Sequence, residues 1–153
     1  MKKLLFHQYE YGSDNYGVLI HDPQSKATAC VDAGDATKAI GALEEKKWSL
    51  TDIWITHHHP DHTDGLKELK MKTGAFVYGP KIISQHIEGL DIQLTQDDQF
   101  VFAKQIVKII HTPGHTTDMI NFYLPSQNIL FSGDTLFALG CGRLFEGTPF
   151  MMW

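Results

Sequence analysis

Apolar and polar residues alternate with period two over residues 3–10 and again over 15–21, and Gly12-Ser13-Asp14 between them is turn chemistry. The chain therefore opens on a β-hairpin. A third strand is predicted over 28–32, and Ala33-Gly34-Asp35 ends it. Ala36, Ile40, Leu43 and Lys47 then keep helical spacing, which turns Ile40 and Leu43 inward. Residues 53–56 form a fourth strand, followed by a polar loop and a helix over roughly 64–72 that Gly74 stops. Strands are predicted at 75–78, 100–102, 106–110, 121–124 and 129–132, the last two joined by the turn Pro125-Ser126-Gln127-Asn128. Residues 79–96 hold no clear period; Pro80 could open a short helix there, and Gly89 breaks it. No internal repeat or low-complexity segment interrupts the pattern.

Three of the predicted strands run directly into polar clusters. Residues 53–56 lead into Thr56-His57-His58-His59-Pro60-Asp61-His62-Thr63-Asp64-Gly65, where four histidines and an aspartate occupy six consecutive positions, 57–62. So many imidazole and carboxylate donors on one turn is a metal-ligand pattern. If the extended backbone persists past Thr56, His57 and His59 project to one side and can share an ion, while His58 points away into a supporting or packing role. Pro60 ends the extended segment, and Asp61 and His62 diverge at the corner toward a second ion. A histidine tag, by contrast, would sit at a terminus and would not follow an apolar strand.

The second cluster, His111-Thr112-Pro113-Gly114-His115-Thr116, follows 106–110, and glycine lets the backbone turn sharply enough to present His115. His115 is assigned to the first ion with His57 and His59. His111, alone at a strand end, reads as structural. Asp134, the third, emerges after Phe131-Ser132-Gly133 and either caps a turn or bridges two cations with its two oxygens. The company of the other two loops favours bridging, because loops at one edge of a sheet are a common place to assemble a site.

Composition narrows the reading. A chain of 153 residues, 42% hydrophobic, suits one domain over 1–153 with a substantial core. Behind Lys2 and Lys3 only Leu4-Leu5-Phe6 is apolar, far short of a signal-peptide core, and no apolar run approaches membrane-spanning length. The expectation is a cytoplasmic protein with no membrane partner. A net charge of −5 argues against a nucleic-acid surface, which needs a basic patch. Cys30 and Cys141 form neither a disulfide framework nor a CxxC pair and are expected as free thiols. Nine histidines are the anomaly, and five of them (His57, His58, His59, His62 and His115) lie where metal chemistry is suspected.

The pattern Thr-His-x-His-x-Asp-His, a later histidine after Pro-Gly, and then Gly-Asp-Thr-Leu-Phe resembles the metallo-β-lactamase superfamily. The run Gly133-Asp134-Thr135-Leu136-Phe137, continuing into Gly140-Cys141-Gly142-Arg143-Leu144-Phe145-Glu146-Gly147-Thr148, looks like glyoxalase II, the hydroxyacylglutathione hydrolases. The histidine pattern carries only the superfamily; the second run is specific to the subfamily. The resemblance covers essentially the whole chain.

It implies a mixed α/β fold, the αββα sandwich, with a dinuclear site on its edge. His57, His59 and His115 would hold one metal, Asp61 and His62 the other, and Asp134 would bridge. Zinc is the expected cofactor at both sites, with iron or manganese permitted by the mixed nitrogen and oxygen donors. The implied reaction is hydrolysis of a small-molecule glutathione thioester, S-(2-hydroxyacyl)glutathione such as S-D-lactoylglutathione, by water that two cations ionise near neutral pH. Asp134, positioning that hydroxide, and Asp61 are the expected catalytic residues. Arg143 and Phe145 are the expected substrate contacts, Arg143 because a guanidinium pairs with the carboxylates of glutathione. Where some relatives carry tyrosine, Phe145 lacks the hydroxyl.

Glyoxalase II continues for about a hundred residues more, so the resemblance implies a sandwich incomplete at its C-terminus, lacking a last strand, a helix, a further histidine ligand and the helical glutathione-binding domain. Thr148-Pro149-Phe150-Met151-Met152-Trp153 reads as a helix start with Thr148 as cap and Pro149 at the first position. An uncovered apolar face is then expected to pair copies of the chain, and a weakened second metal site to slow turnover. Other members of the superfamily, such as a persulfide dioxygenase, a lactonase, a β-lactamase or an RNA-processing nuclease, share the histidine loop. A fragment that only binds metal is the competing reading from another class.

Overall fold

A computed structural model describes residues 3–81 and 87–153. Two sheets face each other. The first has six strands in spatial order β1 (Leu5–Tyr11), β2 (Asn15–His21), β3 (Thr28–Val31), β4 (Asp52–Trp54), β5 (Phe76–Pro80) and β6 (Ile92–Leu94). The second has the order β10 (Ile129–Phe131), β9 (Ile120–Leu124), β8 (Gln105–His111), β7 (Gln99–Phe102), all antiparallel. In the first sheet β1–β2 and β2–β3 are antiparallel, whereas β3–β4, β4–β5 and β5–β6 run parallel. Parallel neighbours need crossovers. The helices supply two of them: α1 (Ala36–Lys46) joins β3 to β4, and the short α2 (Pro60–Thr63) with α3 (Leu66–Thr73) joins β4 to β5.

Period-two alternation divides the core. Leu19, Cys30, Ile53, Ile55 and Val77 face α1 and α3, while Ile20, Ala29, Val31 and Trp54 face the second sheet. Trp54 is fully buried at the centre of the inter-sheet layer, with ring centroids 5.4, 5.2 and 5.4 Å from Phe100, Phe102 and Phe122. Truncating such a residue to alanine costs about 3–5 kcal/mol.

The predicted elements hold with small corrections. The stripe that α1 buries consists of Ala36, Ala39, Ala42 and Leu43, with Ile40 only half-buried, because small side chains let the helix lie close on the sheet. The predicted 64–72 helix is α3, which starts at Leu66, and the separate single turn α2 precedes it where the sequence predicted loop. Pro80 ends β5 instead of opening a helix, residues 82–86 of that prediction lie outside the described residues, and β6 follows. Thr148 caps α4 (Pro149–Met152) as expected, accepting from Met151 N at 3.3 Å.

The mixed α/β sandwich is observed with helices on one face. Among the described residues no helix of more than one turn covers the other, where Val101 (68% exposed), Ile106, Ile110 and Leu130 look outward. Nor is any described helix long and apolar enough to cross a membrane. Cys30 is buried and Cys141 exposed, both as free thiols.

Candidate metal centre

Adjacent parallel strands β3 and β4 end side by side, so their following residues meet at one edge of the sandwich, the usual place for a site in parallel sheet. Past Trp54 the chain stays extended through Ile55, whose N donates to Tyr78 O at 2.8 Å, and it then carries His57 and His59 to one side. Pro60 starts α2 with Asp61 and His62 in its single turn. The β8–β9 connection is folded on itself by Thr112 N to Met119 O and Gly114 N to Thr116 O, both 2.9 Å, and it is fixed to the histidine loop by Ile120 N to Thr56 O at 3.0 Å. A 3₁₀ turn at Gly133–Thr135 brings Asp134, held by the Thr112–Thr135 hydroxyl contact of 2.7 Å.

His57 Nε2 and His115 Nε2 stand 3.2 and 2.9 Å from His59 Nδ1. Asp134 reaches both ways: Oδ2 lies 3.3 Å from His115 Nε2 and Oδ1 lies 3.3 Å from His62 Nε2. Asp61 Oδ2 is 3.5 Å from His62 Nε2 on an exposed side chain. Donor atoms of His57, His59 and His115, and separately of His57, His62 and Asp134, lie within 4.8 Å of one another. The structure thus gathers all six residues expected at the metals. His58 turns away, as alternation requires, and pairs with Asp118 and Glu146.

Hydrogen bonds fix which ring nitrogens face inward. His115 Nδ1 donates to the Arg143 carbonyl at 2.7 Å, so its Nε2 carries a lone pair. Thr56 Oγ1 gives its one proton to Asp32, at 3.0 Å from Oδ2, and therefore accepts from His57 Nδ1 at 2.9 Å. His62 Nδ1 donates to Asp32 Oδ2 at 2.8 Å. Two inward lone pairs, on His57 and His115, then face His59 Nδ1, and one proton cannot satisfy both. His62 Nε2 is buried without a hydrogen-bond partner. A cation satisfies all of these at once, and two nitrogens bound to one tetrahedral ion stand about 3.3 Å apart, close to the spacings here. The donor set fits metal.

Electrostatics agree with that fit. Burial, helped by the neighbouring imidazoles of His62, His59 and His115, pushes His57 far below the usual histidine range, and burial with His115 also lowers His59. Neutral imidazole is the form that ligates. For His62 burial opposes the charged form, but the Asp32 and Asp134 carboxylates override it and raise the metal-free ring to about 10. Burial works against the Asp134 carboxylate as well, yet the facing His62 ring holds it below its ordinary value.

The site opens into a cleft of about 1190 Å³ whose walls include Tyr16, Phe137, Arg143 and Phe145. Phe145 sets its ring edge-on to His59 and His115, centroids 5.4 and 5.3 Å away. Arg143 is exposed at the rim. Four residues escaped sequence reasoning. Asp32, buried, accepts from Thr56 N at 2.8 Å and from His62; Asn15 Nδ2 donates to Asp61 Oδ2 at 2.9 Å; Asp118 and Glu146 hold His58. His111 is structural, its Nε2 meeting Thr117 O at 2.9 Å.

Residues 15–151 match the family described as the metallo-beta-lactamase superfamily. A curated hydroxyacylglutathione hydrolase of Brucella anthropi is 50% identical over 151 residues, 99% of this chain and 58% of that protein. The chain thus spans less than two thirds of the length of the curated relatives it matches. Among solved structures, the BLEG-1 B3 metallo-beta-lactamase has a TM-score of 0.84 at 23% identity, covering 97% of this chain and 81% of that one. A protein solved in a di-iron-bound form has a TM-score of 0.79 at 20% identity, covering 95% and 81%.

Proposed function

The chain belongs to the metallo-beta-lactamase superfamily, and from that premise we propose that it is a metal-dependent thioester hydrolase of the glyoxalase II type, acting on S-(2-hydroxyacyl)glutathione. The observation that carries the reading is the spacing of the donors. The His57 and His115 nitrogens lie 3.2 and 2.9 Å from that of His59, and the two oxygens of Asp134 span from that group to His62. The hydroxyacylglutathione hydrolase that is 50% identical to this chain supports the substrate class.

His57, His59 and His115 would hold one cation, Asp61 and His62 the other, with Asp134 between them; zinc suits the donors, and the di-iron form of a protein of this fold favours admitting iron. When bound, the cations supply Lewis acidity, bringing water toward ionisation at neutral pH and polarising a carbonyl. The protein's share is preorganisation. Asp32, Thr56 and the Arg143 carbonyl hold three rings in the tautomer that presents a lone pair inward. Asp134, whose two oxygens reach His62 and His115, would orient a water between the two groups. Phe145 provides an apolar wall, and the Arg143 guanidinium a partner for a glutathione carboxylate. The leaving group of a thioester is a thiolate, which departs without a proton donor from the protein.

Metal analysis of the purified chain paired with S-D-lactoylglutathione turnover tests the proposal. Bound metal and chelator-sensitive turnover are expected. Metal without turnover would favour the metal-binding fragment, and turnover of other esters alone would favour a different hydrolase of the superfamily.

A further inference from the structure

We infer that His58 is a positioning residue: the imidazole between two metal-facing histidines tethers the substrate wall, residues 143–147, to the metal centre through Glu146. Alternation sends His57 and His59 toward the cleft and His58 backwards, where its side chain is only 9% exposed. Its Nδ1 lies 2.8 Å from Asp118 Oδ1 and its Nε2 lies 3.2 Å from Glu146 Oε1. Glu146 Oε2 in turn accepts from Thr117 N at 2.7 Å and Thr117 Oγ1 at 2.9 Å. One carboxylate therefore joins the histidine loop to the β8–β9 connection.

The wall is laced to that connection on both sides of Glu146. Phe145 N donates to His115 O at 3.2 Å, and Gly147 N donates to Gly114 O at 2.9 Å. These bonds tie the wall to the His115 loop; the contact with His58 ties it to the backbone that presents His57 and His59. Displacing Glu146 would thus carry Phe145 off the rings of His59 and His115. Asp118 holds His58 through Oδ1, and its side chain is only 3% exposed, which leaves it little room to reorient.

The consequence for substrate rests on the thioester reading; the tether itself does not. Glu146→Ala, Glu146→Gln and His58→Gln are compared with the wild type by amide hydrogen exchange, metal content and S-D-lactoylglutathione kinetics. In Glu146→Ala and His58→Gln, exchange at the Phe145 and Gly147 amides should rise about tenfold, with metal per chain retained. KM should rise about fivefold with kcat within about twofold, Glu146→Gln should fall between, and the double variant should be no worse than the worse single one. Unchanged exchange at both amides, effects that simply add in the double variant, or faster exchange with an unaltered KM would each overturn the inference. Faster exchange in a chain whose wild type never turns over a glutathione thioester would sink the thioester reading and leave the tether standing.

Discussion

Asp32→Asn separates metal positioning from folding. Asp32 is 5% exposed and its backbone sits at φ +60°, a left-handed conformation that asparagine tolerates and alanine resists, so Asn is the clean replacement. In the native protein Oδ1 accepts from Thr56 N at 2.8 Å, and Oδ2 accepts from His62 Nδ1 at 2.8 Å. The amide keeps the first contact by placing its oxygen there, which points its NH₂ at His62. Nδ1 must then accept, the ring proton moves to Nε2, and the nitrogen facing Asp134 becomes a donor that cannot ligate. Changes to such supporting contacts typically cost 10–100-fold in metal affinity. The loss should fall on the second ion alone, since Thr56 Oγ1 can still donate to the retained oxygen at the Oδ1 position, 3.1 Å away, and so leaves the hydrogen bonds of His57, His59 and His115 in place.

Stability should fall too. One hydrogen bond to a buried charge is worth about 1.5–3 kcal/mol, which for a domain of this size lowers Tm by about 3–12 °C. Isothermal titration of the metal-free variant with zinc, alongside a thermal melt, checks both. A variant that still binds two ions per chain with wild-type affinity would refute the tautomer reasoning, whatever its Tm.

Gly142→Ala should lose activity and metal together, because a Cβ at that position would stand 2.4 Å from Asp134 O and 2.7 Å from His115 Nδ1; intact metal content by elemental analysis would contradict it. Asn15→Ala should release the exposed Asp61 carboxylate, weakening the second ion about tenfold while sparing the first, which competitive chelation reads. In the metal-free protein His62 titrates near 10 against about 6.5 unfolded. Its raised pKa therefore contributes stability that is complete below about pH 6.5 and lost as pH rises through about 10, so the metal-free Tm should fall across that window. Zinc, which needs the neutral ring, should flatten the fall; a metal-free Tm that rises from pH 7 to 10 would contradict the assignment. The outward Val101, Ile106, Ile110 and Leu130 should make this chain self-associate, and Val101→Lys with Ile106→Lys should shift sedimentation toward the monomer.

Which parts of this architecture were legible beforehand follows from the range of the interactions involved. His57, His59, Asp61 and His62 are neighbours in sequence, and period-two geometry alone decides that the first two share a side while His58 turns back. Seven-residue strands such as β1 and β2 announce themselves by alternation, but the three-residue β6, with Ile92 and Gln93 exposed, has too short a pattern to read. The α1 stripe was misjudged for a different reason: period favours the larger Ile40, whereas close packing on a sheet favours alanine. Asp32 and His58 lay beyond local reading because their roles are made by pairing. Asp32 meets Thr56 only because β3 and β4 run parallel in register, and His58 meets Asp118 across 60 residues of chain. Donors cluster locally in the sequence, and the groups that orient them are recruited from distant strands. A motif therefore reveals where cations bind before it reveals what holds the ligands in their binding form.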